Sequence, residues 1–271
     1  MTPLTPVAPS ATSIPGAILA PDIGWAGQIA AARVVLHRSI HDRETSDVKL
    51  SYVWLVLFVL APSVRNTLGY FALAVFFATG NLVLLLIFGG ITLLASSLMH
   101  GIANRKMLRR MTRHFDREAR LRGALIDYLY AKAAADRKLA EATGSLLAMA
   151  KIHGEAGARD RGRSGLWAFL VALPLVRYYF YYFISRFPAE HEQRWVRFLH
   201  HTEVVSRTLG VAYLTPEIKP VKRHNFWLFL LLSIITSELF LVYWYFLLIR
   251  EPHLHFKSHE HVDDALLLAF H

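Results

Sequence analysis

SYVWLVLFVLAPSVRNTLGYFALAVFFATGNLVLLLIFGGITLLASSLMHGIA, residues 51–103, contains no acidic residue and a single Lys or Arg, Arg65. A bilayer core of roughly 30 Å is crossed by about 20 apolar residues at helical rise, so this stretch is long enough for two crossings. Thr79-Gly80-Asn81 is the natural break, because Gly and Asn suit a tight turn. It divides the stretch into spans at 51–78 and 82–103. Pro62 would kink the first span. Lipid offers no partner to an exposed peptide group, so crossing segments must be helices. The expected fold class is therefore all-α, a polytopic helical membrane protein.

Downstream, residues 104–165 carry 15 Lys or Arg against 7 Asp or Glu. Met107, Met111 and Phe115 recur every four residues among the bases, the signature of an amphipathic helix. Arg105, Lys106, Arg109, Arg110 and Arg113 sit beside the membrane end and are expected to meet lipid headgroups. Helical character continues through an Ala-rich stretch to Ala150, with Gly123 or Gly144-Ser145 as candidate breaks, and 154–165 reads as a flexible linker. Two more apolar blocks, 166–186 and 225–250, raise the expected number of spans to about four. Between them lie a polar helical stretch from Glu190 to Leu209 and a Pro-bounded loop from Thr215 to Pro220.

Upstream, residues 1–24 carry five prolines and form an extended segment in this reading. In 25–50, Trp25, Ile29, Ala32, Leu36 and Ile40 mark one helical face, which either lies in the membrane interface or packs on the protein itself. The chain thus divides into 1–24, 25–50, a transmembrane hairpin at 51–103, a basic cytoplasmic region at 104–165, a third span with its amphipathic helix at 166–224, and a fourth span with a His/Asp-rich tail at 225–271.

Composition agrees. Of 271 residues, 54% are hydrophobic, and the mean hydropathy is +0.34. The net charge of +10 is read as topology and headgroup charge; no nucleic-acid motif accompanies it. The positive-inside rule puts 104–165 and both termini in the cytoplasm and 187–224 outside, in a prokaryotic plasma membrane. Without cysteine, disulfides, cysteine-ligated iron–sulfur clusters and c-type haem are excluded.

The apolar blocks also resemble one another. Trp54 precedes Pro62-Ser63-Val64-Arg65, and Trp167 precedes Pro174-Leu175-Val176-Arg177. The block opened by Trp227 replaces that motif with Thr236-Ser237-Glu238. Pro188-Ala189-Glu190-His191 and Pro252-His253-Leu254-His255 share Pro-x-x-His. Either this is a duplicated unit of span plus amphipathic helix, or apolar segments are alike by chance. With Trp227, Tyr243, Trp244, His255-Phe256, His259, Asp263-Asp264 and Leu266, the pattern resembles multi-pass prokaryotic membrane proteins built on a domain of unassigned function. The resemblance implies a membrane location and brings no activity with it.

Arg65, Arg177 and Glu238 each follow their block's Trp by ten or eleven residues, which places them about 15–17 Å deep at helical rise. Unpaired charges there are costly. Glu238 therefore pairs with an arginine, or the three line a proton or solute path, or the arginines snorkel to an interface. Among 14 histidines none lies inside an apolar core, which argues against membrane haem. In the tail, His255, His259 and Asp263 stack on one helical face and can ligate zinc; otherwise the tail is an amphipathic helix and the chain has no cofactor. No catalytic signature is present. The function expected is a non-catalytic accessory or scaffold subunit, not an enzyme, with membrane lipids and other subunits or its own copies as partners. The alternative is an oligomeric transporter or channel using Arg65, Arg177 and Glu238.

Overall fold

The computed structural model describes residues 24–160, 168, 170, 174–218, 221–236 and 239–271, and all regular structure among them is α-helical. The helices are α1 (Trp25–His41), α2 (Arg43–Ser46), α3 (Trp54–Thr79), α4 (Leu82–Ala135), α5 (Leu139–Arg159), α6 (Pro174–Thr208), α7 (Phe226–Ile235) and α8 (Leu239–Ala269). The N-terminal segment before Gly24 and Glu238 lie outside the described residues.

The turn expected at 79–81 is present. Gly80 closes α3 at φ +65°, where L side chains are strained. The Asn81 side chain then caps α4, accepting from the N–H groups of Val83 at 2.9 Å and Leu84 at 3.3 Å. From that cap α4 continues for 54 residues, roughly 80 Å at helical rise, without a joint between its apolar and basic halves. Gly123 and Gly144 interrupt nothing. The break falls at Asp136–Lys138, where Arg137 takes φ 58° and Lys138 donates to the Thr208 carbonyl at 2.9 Å. Part of the linker expected at 154–165 is helical, since α5 runs to Arg159.

Among the described residues two helices are long and apolar enough to cross a membrane, α3 and α4. The fourth crossing expected at 225–250 is not a single helix. Asn225 caps α7, which ends at Thr236 after ten residues, and α8 carries on from Leu239 far past the apolar block. About 20 residues are needed to cross, so α7 alone is half a span.

Two apolar cores are stacked along the bundle. One gathers α3, the middle of α4, the first half of α6, and α7 with the start of α8, including Phe58, Met107, Phe115, Phe187, Trp244 and Ile249. The other gathers α1 and α5 with the distal parts of α4, α6 and α8, including Leu36, Leu125, Met149, Trp195 and Val262. The expected amphipathic helix at the N-terminus takes the second of its two readings: Leu36 and Ile40 are buried against the protein's own core. Three long helices, α4, α6 and α8, pass from one core to the other. Between the cores they carry polar residues.

Candidate metal centre

The polar layer is built from three helical turns, one on each long helix. His114 and Glu118 come from α4, His191 and Glu192 from α6, and His255 and His259 from α8. The i, i+4 spacing of His114 with Glu118, and of His255 with His259, puts each pair on one helical face. The four imidazole rings gather with centroids 4.1 to 6.2 Å apart. None is exposed by more than 2%. Three sets have ligand atoms within 4.8 Å of one another: His114, His191 and His255; His114, Glu118 and His259; Glu192, His255 and His259. Burial of this many titratable groups costs several kcal/mol unless they satisfy one another.

They do so through one nitrogen of each ring. Nδ1 of His114 lies 2.9 Å from Asp47 Oδ1, and Nδ1 of His191 lies 2.9 Å from Asp160 Oδ2. Nδ1 of His255 lies 3.1 Å from Glu192 Oε2, and Nδ1 of His259 contacts Glu118 Oε1. An ionised carboxylate only accepts, so it fixes the proton on Nδ1 and leaves the lone pair on Nε2. His191 Nε2 meets Glu118 Oε2 at 2.6 Å. Nε2 of His255 and of His259 makes no hydrogen bond, and Nε2 of His114 lies 3.2 Å from Glu118 Oε1. A buried lone pair left without a partner costs about 1–3 kcal/mol.

An outer ring holds the carboxylates. Arg117 donates to Asp263 Oδ2 at 2.6 Å and to Asp47 Oδ2 at 3.0 Å. Arg194 donates to Asp160, and Arg122 lies 3.7 Å from Glu118 and 3.9 Å from Asp160. Five carboxyl groups (Asp47, Glu118, Asp160, Glu192, Asp263) thus face three guanidiniums (Arg117, Arg122, Arg194). The carboxyl groups outnumber the guanidiniums, and His191, held between Glu118 and Asp160, favours its charged form and offsets part of the excess.

Protonation follows from these contacts. Burial opposes ionisation of Glu118, but the field of His259, His114 and His191 outweighs it and holds the carboxyl well below its ordinary range. Asp47 and Asp160 are held low against their burial by His114 and Arg117, and by His191 and Arg194. Burial lowers His114, and it lowers His255 well below the ordinary value. His191 goes the other way, because Glu118 and Asp160 outweigh its burial. Burial raises Glu192 and pushes Asp263 up to about 6.

No family model matches the sequence, and no curated protein or solved structure matches it either.

Of the three tail residues singled out as zinc ligands, the structure brings His255 and His259 together and turns Asp263 toward Arg117. His253 stands apart, its Nε2 accepting the Leu50 N–H at 2.8 Å. Four of the five bases assigned to headgroups (Arg105, Lys106, Arg109 and Arg113) are exposed, and Lys106 lies 5.0 Å over the Trp54 ring. Arg110 does not face headgroups. It is 3% exposed and donates to the carbonyls of Leu248 at 2.9 Å and Ile249 at 3.2 Å. Arg65 lines a shallow groove between α3 and α4, and Arg177 is buried beside the Tyr178 ring. Sequence reasoning passed over His114, Glu118, His191 and Glu192 as ligands, along with the anchors Asp47 and Asp160. The available signal was the repeated Pro-x-x-His, whose histidines His191 and His255 sit 5.6 Å apart.

Proposed function

We propose that this chain is a membrane-anchored metalloprotein whose central layer holds a non-haem transition-metal centre of the iron class. The observation that carries this reading is the pair of buried Nε2 atoms without a hydrogen bond, on His255 and His259, each ring pinned at Nδ1 by a carboxylate, beside His114, whose Nε2 lies 3.2 Å from Glu118 Oε1. That is the second-shell pattern of histidines that ligate metal. A purely structural scaffold gives no reason for two adjacent imidazole nitrogens without a hydrogen bond in its interior, and a solute path past Arg65, Arg177 and Glu238 leaves them equally unexplained.

Ligand chemistry favours iron over zinc. Two of the three sets are two histidines and one carboxylate, sharing His259; with Glu118 or Glu192 turned from its imidazole onto the metal, either would be a donor set suited to ferrous iron with open positions. Four imidazoles and two carboxylates exceed the four donors that zinc ordinarily takes. The anchor is the α3–α4 hairpin. Only 17% and 11% of their most apolar windows are buried, whereas the core helix of a water-soluble protein hides its apolar faces. Helix α7 and the start of α8 form a re-entrant hairpin on the same side, each arm about 15–18 Å long.

Metal analysis of the detergent-purified protein, after anaerobic loading with ferrous iron and desalting, tests the reading. At least one iron per chain is expected, retained against manganese competition. It should be lost in His259→Gln while far-ultraviolet circular dichroism stays helical. A folded wild-type chain that retains no metal would sink the proposal.

A further inference from the structure

Beside the metal layer, α8 and the loop leading into α7 enclose a cavity of about 500 Å³, within the range of small-molecule sites. Its walls have two characters. Tyr243, Leu247 and Leu254 are apolar, and Lys222, Arg250 and Lys257 are basic. Two acids also line it, Glu217 and Glu251, and Glu251 is engaged by His224. The three bases therefore exceed the two acids, and one acid already has a partner.

The order of these residues along α8 gives the cavity a direction. Leu239, Tyr243, Leu247, Arg250, Leu254 and Lys257 follow each other at steps of three or four, so they share one helical face. That face is apolar at its start, where Leu239 is 76% exposed and Tyr243 51%, and becomes basic at Arg250. It ends at the metal layer, because His255 is itself part of the cavity wall. The opposite wall is tied to the same layer: the Val221 N–H donates to Glu192 Oε1 at 2.9 Å, and Glu192 holds His255 through its other oxygen.

We infer that this cavity binds a single-chain anionic amphiphile, a long-chain carboxylate, with its head between Arg250, Lys257 and Lys222 beside His255 and its chain laid along Leu247, Tyr243 and Leu239. The chain then stays against the apolar end of α8, where the re-entrant hairpin meets lipid. The head lies beside His255, on the wall that the cavity shares with the metal layer. The inference rests on the metal reading for the role of the head; the binding site itself rests on the shape and charge of the cavity.

The test uses the full chain in phosphatidylcholine nanodiscs and stearate spin-labelled near its carboxyl end, read by electron paramagnetic resonance as the immobilised fraction. Saturable immobilisation is expected. It should weaken about tenfold in Lys257→Gln/Arg250→Gln and disappear in Leu254→Trp, which fills the cavity. None of these residues is a proposed ligand, so iron content should stay at the wild-type level in all of them. Labelled methyl stearate bound as well as the acid would overturn the anionic head. Immobilisation unchanged by Leu254→Trp, as for lipid lying on the outer surface, would overturn the site. Competition by phosphatidylglycerol but not by palmitate would assign the cavity to a two-chain lipid and overturn the single-chain ligand. Stearate bound by a chain that holds no iron would leave this site standing and defeat the metal reading alone; iron held without stearate binding would do the reverse.

Discussion

Pro252 lies inside α8 and has no N–H to give the Leu248 carbonyl four residues earlier. Arg110 supplies the missing donor from α4, reaching Leu248 and Ile249 together. Burial lowers its guanidinium to about 10, a cost met because the carbonyls would otherwise be orphaned. Arg110→Met should therefore destabilise the protein by about 1–3 kcal/mol, the cost of an unsatisfied buried group. In a Pro252→Ala background Leu248 regains a helical partner, so the same substitution should cost less, with a coupling of about 1 kcal/mol. Denaturation of the four variants in detergent measures it. Additive effects would show that the arginine serves some other purpose. The same residue explains why a basic run does not translate directly into headgroup contact: one position in that run faces inward, toward a proline on another helix.

At the scale of elements, the α3–α4 turn is a local device and should behave as one. Gly80→Ala forces an L side chain into the left-handed region, and Asn81→Ala removes two hydrogen bonds to the first turn of α4. Each should cost about 1 kcal/mol, seen as a lower melting temperature with iron content unchanged. Loss of iron in either variant would mean that the turn supports the metal layer directly. This element was legible in the sequence because its determinants are adjacent: Gly for φ, Asn for the cap, apolar runs on both sides. The metal layer was much less legible. His114 and Glu118 were hidden within a basic amphipathic helix, and Asp47 and Asp160 reach the histidines from the ends of separate helices. Pro-x-x-His was visible twice, yet nothing local says that His191 and His255 face each other. The block expected as a fourth span is divided between two helices for a related reason: hydropathy summed over 225–250 does not register the end of α7 at Thr236.

For the whole molecule, the polar layer between two cores makes stability depend on acidity. In the metal-free chain Glu118, Asp47 and Asp160 are held below their ordinary values. Their contribution is thus present at pH above about 4.5 and lost as pH falls through the folded-state values, where the unfolded chain binds more protons. Thermal unfolding with chelator present should show melting temperature falling steeply below about pH 4.5. In Glu118→Gln the limb should be shallower by up to about 1.4 kcal/mol per pH unit, one proton's worth. An unchanged limb would place the acid-sensitive groups elsewhere.

The uninterrupted run of α4 has a mechanical consequence. A helix is stiff along its axis, and the one that starts at the Asn81 cap in the apolar hairpin also carries His114 and Glu118. Inserting one residue near Ile102 would swing both ligands by about 100° and lift them about 1.5 Å relative to the hairpin. There is no hinge to absorb that motion. With the hairpin in a bilayer and a metal bound as proposed, bilayer thickness and hairpin tilt would reach the layer as displacement of a rigid lever, and thinner or thicker membranes should change its spectroscopic signature without any ligand arriving.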